Sequence, residues 1–463
     1  MRASVTVTNA GPRVAVIGGG FAGLAAAYRL AKAGASVSVF ERSGHLGGLA
    51  MAFPFRGTEI EKYYHHWFTS DVDVLDLIDE LGIGDRVRWI SPVMGMFCRG
   101  RVWRFTSPLD LLRFRPFSLA AKIRFGVVTL FLQRYPNVET FEGVTAHDWL
   151  RRYAGREVYD TVWGPLLRAK FGRHAESISM AWIWNKMRLR GTSRTRGGNK
   201  ESLGYIDGGF GIVAEAVAAA IERLGGRIHR TERVVGVQPL PAGAGGRFEV
   251  RTARRSERFA AVVSTVAPPL LPGLVAGLPS DYRRQCESIE HSAILCTILV
   301  VKKSFSPIYW MNVSDRTIPF GGLIEHTNFI SPEVYGGSRI AYLSHYTYPD
   351  DPVYGMDSDE LFEHYRPGLQ QIQPEFREDW VEARHMFRDR WAQPIVTADY
   401  HRRILPLEAP LRGLFVATMS QVYPQDRGTN YAVRIGNVAA QRVLDSGVLA
   451  EDVPGRVAAA ARF

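Results

Sequence analysis

Residues 13–50 read RVAVIGGGFAGLAAAYRLAKAGASVSVFERSGHLGGLA, and this stretch decides the fold. Val14–Ile17 is the short apolar run expected of a buried parallel strand. Gly18, Gly20 and Gly23 follow at the spacing G-x-G-x-x-G. Leu24 to Lys32 reads as a helix, with Gly34 as its stop. A second strand, Ser36–Phe40, ends in Glu41.

Each part has a task in holding a dinucleotide. Gly18 permits the tight turn, Gly20 lets the backbone approach a pyrophosphate, and Gly23 lets helix and strand pack closely. The helix N-terminus, with Phe21 and Ala22, offers unpaired N–H groups and a positive dipole end to phosphate. Glu41 stands about 20 residues on, where a ribose hydroxyl is accepted.

Glu41-Arg42 is followed by Gly47-Gly48-Leu49, a second flexible turn just past the acid. With that doublet the run resembles the opening of the flavoproteins that include protoporphyrinogen oxidases, monoamine oxidases, phytoene desaturases and UDP-galactopyranose mutases. The resemblance implies FAD, rather than NAD, with the doublet passing near the pyrophosphate and flavin. It continues more loosely through residues 200–270 and 410–446.

At 463 residues, two domains are the default. A hydrophobic content of 46% and a charged content of 22% are globular values. The net charge of +11 fits an anionic substrate or an acidic lipid surface, or is a plain arginine bias. The basic residues are spread, without a nucleic-acid motif. Cys98, Cys286 and Cys296 have no metal or redox spacing, so no metal and a reduced, cytoplasmic setting are expected. Residues 1–12 lack an apolar core and read as a frayed tail, not a signal peptide.

Tyr63-Tyr64-His65-His66-Trp67-Phe68 sets two histidines among aromatic rings. It reads either as an aromatic core patch or as a cavity wall in which His65 or His66 handles protons near neutral pH, with Tyr64 and Trp67 against substrate. The mutase resemblance implies His66 as the residue reaching the flavin. Asp71 to Gly82 has helical spacing, and Met94–Phe105 reads as strand with a turn at Gly100-Arg101. In residues 108–135, Leu119, Ile123, Val127, Leu130 and Phe131 share a helix face beside Arg113, Arg115, Lys122, Arg124 and Arg134. That face is either buried, the favoured reading, or laid on an anionic membrane surface.

Arg168 and Lys170, then Trp182, Trp184, Lys186, Arg188 and Arg190 at every second position, suit a ligand with an apolar body and an anionic end; a solvated basic segment is the alternative. Residues 191–201 read as a loop. Gly209, Gly211 and Ala214 form G-x-G-x-x-A, but Gly204–Asp207 is a poor strand, so a second dinucleotide site is discounted. The flavoprotein resemblance instead implies backbone contact between Val235 and FAD. Val234–Pro239, Arg247–Thr252 and Arg258–Val263 read as a three-stranded meander. In residues 271–395, Ala293–Val301 and Arg339–Ser344 read as strands, and Tyr309, Trp310, His326, His345, Tyr346 and Tyr348 are candidate wall residues.

Leu414–Ala417 is a buried-strand pattern, and Thr429 or Asn430 caps a final helix. By resemblance this helix points at the flavin, with Asn430 and Tyr431 nearest. The family's Gly-Asp after the strand is replaced by Thr418-Met419, leaving Asp426 or backbone groups to substitute.

These readings give an α/β protein. A discontinuous Rossmann-like FAD-binding domain with a β-meander occupies residues 1–105, 200–270 and 396–463; residues 106–199 and 271–395 build an α+β substrate domain. The expected function is FAD-dependent dehydrogenation of a small apolar or anionic substrate. The alternative is a nucleotide-sugar mutase without net redox change.

Overall fold

A computed structural model describes residues 11–192 and 201–450. The tail read over residues 1–12 and the loop read over 191–201 lie outside the described residues except at their inner ends. Alternating Val and small residues give β1 (Arg13–Ile17) and β2 (Ser36–Phe40), joined by α1 (Phe21–Lys32). The two strands pair in parallel, with Val14 opposite Val37 and Ile17 opposite Phe40. Arg227–His229 adds beyond β2, and Ala261–Ser264 then Leu414–Val416 add beyond β1, all in parallel. β1 is therefore central, and the strand order turns back beside it, where such sheets bind ligands at their C-terminal ends.

Close backbone approach fixes α1. A Cβ on Gly23 would stand 1.9 Å from the Gly18 carbonyl oxygen, and one on Gly436 would stand 2.2 Å from that of Ala22. Gly18 itself has φ +109°, inside the left-handed region. The helix Thr429–Asp445 thus packs backbone-close against α1.

A seven-stranded sheet forms the second layer system. Its order is Val381–Pro394, His291–Val301, Arg339–Thr347, Gly322–Glu325, Trp310–Val313, Met94–Cys98 and Arg101–Arg104. The hairpin at 94–104, grouped above with residues 1–105, pairs in parallel with Trp310–Val313, Met94 opposite Trp310. Its strands pair within this sheet and not with the parallel one. One apolar core joins both sheets, running from Val14 and Leu24 through Trp67 and Tyr205 to Ile298 and Tyr342.

Three other expectations change. Arg258–Val263 is two strands: Ser256–Phe259 closes the meander, and Ala261–Ser264 enters the parallel sheet. The Ala260 N–H donates to the Arg13 carbonyl at 2.8 Å, handing the chain over within one unbroken apolar run. Leu203–Ile206, judged a poor strand, is a fully buried one at the centre of an antiparallel sheet with Trp67–Phe68 and Val87–Ile90. The second dinucleotide site is still rejected, for a different reason. Glu61 is buried at the start of helix Gly211–Arg223, accepting from the Phe210 N–H at 2.6 Å and the Tyr205 hydroxyl at 2.9 Å. The chain's own carboxylate takes the place a phosphate would need. Burial raises the Glu61 pKa, against those hydrogen bonds. Finally, Pro108–Arg113 and Leu119–Arg134 are separate helices, and the apolar face of the second is exposed, not buried as favoured.

Gly436→Ala is expected to lower stability by about 1–3 kcal/mol through overpacking against α1. Gly126→Ala, within helix Leu119–Arg134 and with nothing within 4 Å of its Cβ, should raise it by about 0.5–1 kcal/mol. Thermal melts of the two variants check the pair.

Candidate active site

Two cavities meet in the space between the sheets. The larger, about 870 Å³, is lined by Gly18, Gly20, Phe21, Ala22, Glu41, Arg42, Gly47, Gly48, Leu49 and Val235. It follows the C-terminal ends of β1 and β2. No side chain caps α1, so its first N–H groups are left for a ligand. This open helix end contrasts with the one that Glu61 fills. The Glu41 carboxylate is oriented by the Gly19 N–H at 2.7 Å and the Ser43 N–H at 2.8 Å, with lone pairs to spare for a ribose. Gly23 lies outside the cavity, and its place is the helix–strand contact described above. The residues present fit a dinucleotide.

The smaller cavity, about 280 Å³, is a chamber between helix Gly164–Phe171, helix Met180–Thr192 and the seven-stranded sheet. Tyr64, Trp310 and Tyr346 supply aromatic wall, and Met94, Met96 and Leu166 supply apolar wall. His65, Arg427, Gly428 and Thr429 line both cavities and mark where they join. That junction is the N-terminus of Thr429–Asp445, whose N-cap is Gly428, not Thr429 or Asn430. Those two side chains are used elsewhere: Thr429 accepts from the Trp67 indole at 2.8 Å, and Asn430 accepts from the Val74 N–H at 3.1 Å. Asn430 and Tyr431 line the chamber and not the larger groove.

Asp426 is the charged centre of the chamber. Its Oδ2 accepts from Lys170 at 2.6 Å and Lys186 at 2.8 Å. Burial alone would raise its carboxyl; the two ammonium groups reverse this and hold it far below the usual carboxylate range. The expectation that Asp426 replaces the family's Gly-Asp is therefore corrected: it is bound to lysines on the substrate side, while Thr418 and Met419 line the groove. Burial lowers both lysines, Lys186 to about 8, opposed by Asp426. Arg427 donates to the Tyr346 hydroxyl at 2.7 Å and to the Gln393 side-chain oxygen Oε1 at 3.0 Å.

Both histidines line the chamber, but only His65 also borders the groove, where His66 was expected. Burial takes His65 down to about 4 and His66 to about 3, so both are neutral at pH 7. His65 donates from Nδ1 to the Tyr63 carbonyl at 2.6 Å. His66 Nδ1 is 3.1 Å from the Tyr309 hydroxyl. Neither exchanges protons near neutrality. Asp71, which burial raises to about 6, and Lys186 titrate closer to it.

Spacing misled elsewhere. Trp182–Arg190 is helical, so Lys186 and Arg190 face the chamber while Trp184 and Arg188 turn away. Trp184 donates to the Tyr135 carbonyl at 2.9 Å, and Arg188 lies over its ring at 4.9 Å. Arg168 sits beside Tyr159 and Arg316, and Trp67 is sealed in the core; neither lines either cavity. Of the later candidates, Trp310 and Tyr346 reach the chamber. Tyr309 backs His66, His326 pairs with Tyr335, His345 with Tyr365, and Tyr348 with the Phe171 carbonyl. Arg427 was missed because no motif marks residues 421–428. The aromatic and charged lining of the groove at Phe387, Arg388 and Trp391 carried no motif.

A dinucleotide groove opening onto a mixed aromatic and cationic chamber defines a two-domain flavoprotein. Residues 21–444 match the model for flavin containing amine oxidoreductase, and the chain belongs to that family. Its cofactor is FAD. Mitochondrial protoporphyrinogen oxidase of Nicotiana tabacum is 29% identical over 184 residues, 37% of this chain and 36% of that protein. The 15-cis-phytoene desaturase of Narcissus pseudonarcissus is 26% identical over 257 residues, 50% and 44% respectively. The chain thus spans well under two thirds of these curated relatives. Cyclohexylamine oxidase from Brevibacterium oxydans IH-35A superposes with TM-score 0.71 at 17% identity, covering 94% of this chain and 99% of that one. Reduced UDP-galactopyranose mutase superposes with TM-score 0.74 at 15% identity, covering 95% and 98%. At such identities the likeness is one of fold.

Gly20 is extended, and a Cβ there meets nothing nearer than Gly48 Cα at 3.7 Å. Gly20→Val should therefore fold normally by circular dichroism yet carry at least about tenfold less FAD, read from absorbance after purification. Asp426→Asn leaves two lysines without their carboxylate and should cost about 3 kcal/mol in denaturant unfolding.

Proposed function

We propose that the protein oxidises a small substrate with an apolar body and one anionic group, FAD taking up the hydride. The observation that carries this reading is the charge balance of the chamber. Lys170, Lys186, Arg190 and Arg427 face it with Asp71, Glu201 and Asp426, so one positive charge remains when all are ionised. In a largely buried space that excess favours an anion. Bound FAD supplies the two-electron acceptor. The chain's own groups do the rest. Lys186 and Arg427 hold the anionic end, Lys186 only while protonated. Tyr64, Trp310 and Tyr346 orient the apolar body, and the neutral His66 ring packs beside Trp310 at 5.5 Å between centroids. The N-terminus of Thr429–Asp445 brings a positive dipole end to the junction, favouring negative charge there.

The test is anaerobic bleaching of the bound flavin against apolar carboxylates, amines and nucleotide sugars. Bleaching by an anionic apolar compound is expected, with KM rising above about pH 8 as Lys186 loses its proton. Lys186→Met should raise KM about tenfold and remove that rise. Bleaching by amines alone would overturn the anionic assignment. Binding of a UDP-sugar to the reduced protein without flavin oxidation would replace the reading with the mutase one.

A further inference from the structure

Helix Leu119–Arg134 wears apolar side chains on its outside. Leu119, Ile123 and Val127 are 71%, 59% and 61% exposed, and Leu130 and Phe131 continue the row at 48% and 45%. The spacing of three and four makes one stripe along 16 residues, about 24 Å of helix. Its opposite side, Ala121, Val128 and Leu132, packs into the domain core. The preceding helix, Pro108–Arg113, adds exposed Leu109 and Leu112. Among the described residues, fifteen large apolar side chains are exposed, and these seven fall within residues 109–131. Scattered exposed apolar residues need no explanation, but a contiguous row does.

The charges around the row say what covers it. Residues 108–134 carry five basic side chains, Arg113, Arg115, Lys122, Arg124 and Arg134, against one acidic one, Asp110. Asp110 is spent on the Thr106 and Ser107 N–H groups of its own helix start. Arg113, Arg115, Arg124 and Arg134 are exposed and make no ion pair with a described carboxylate. An apolar stripe bordered by unpaired arginines complements a surface that is greasy inside and anionic outside. A second copy of this chain would bring the same arginines face to face. No helix among the described residues is long and apolar enough to cross a membrane, so a bilayer covering this row would meet it at its surface.

We propose that helices Pro108–Arg113 and Leu119–Arg134 dock the protein on the surface of an anionic lipid bilayer, the apolar row entering the acyl boundary and the arginines meeting the headgroups.

Cosedimentation of the FAD-loaded protein with vesicles tests this, using phosphatidylcholine alone and phosphatidylcholine mixed with phosphatidylglycerol. Binding to the anionic vesicles is expected to exceed that to the neutral ones about tenfold or more at low salt, and to fall as salt rises. Ile123→Asp with Val127→Asp should abolish it while FAD content and thermal melt stay unchanged, because both side chains face solvent. Arg113→Glu with Arg124→Glu should weaken binding about fivefold per residue or more and flatten the salt dependence. Wild-type protein left in the supernatant with anionic vesicles at low salt overturns the proposal. So does unchanged binding by the aspartate variant. A wild-type dimer in light scattering that the aspartate variant dissociates overturns it too, assigning the row to contact between copies. None of these readouts depends on turnover, so failure here leaves the proposed oxidation standing.

Discussion

The backbone of α1 lies so close to the Gly18 carbonyl that no side chain can stand at Gly23. That contact sets the rest of the site. It draws the helix down onto the turn after β1 and aims its uncapped N–H groups along the groove. Gly436 repeats the arrangement where the final helix meets the carbonyl of Ala22. Two helix N-termini then reach the same space, one along the groove and one at its junction with the chamber. Both are positive ends, and both are supplied by backbone N–H groups.

The second glycine turn shows how little separates such a site from its imitation. Gly209 and Gly211 stand at the start of a helix much as Gly18 and Gly20 do. What differs is a residue 150 positions earlier in the chain than Gly211, Glu61, which enters that helix start and satisfies it. A phosphate-binding turn is thus defined by what the rest of the fold leaves vacant, and local spacing holds no record of that.

The same division governs what was legible beforehand. Residues 13–50 encode a local βαβ unit, so strand, turn, helix and Glu41 could all be read from spacing. The open meander and the final helix were similarly local, apart from ends and caps. Long-range pairing was not. The hairpin at 94–104 chooses its sheet through Trp310–Val313, more than 200 residues away. Lys170, Lys186 and Asp426 come from three separate segments and meet only in the folded chain. The pattern at 182–190 alternates in sequence yet lies on a helix, so its odd and even members part ways. His65 and His66 were found by type and neighbourhood, but their charge depends on burial, which two adjacent letters cannot convey.

The connectivity has a further consequence. The chain passes from the parallel-sheet side to the seven-stranded sheet and back, twice over. Stitches between the two sides reinforce those crossings: Tyr342 to the Glu61 carbonyl, Tyr64 to Ser344, Lys170 to Asp426 and Arg427 to Gln393. Opening the cleft by swinging one side away from the other would have to break all four of these ties at once.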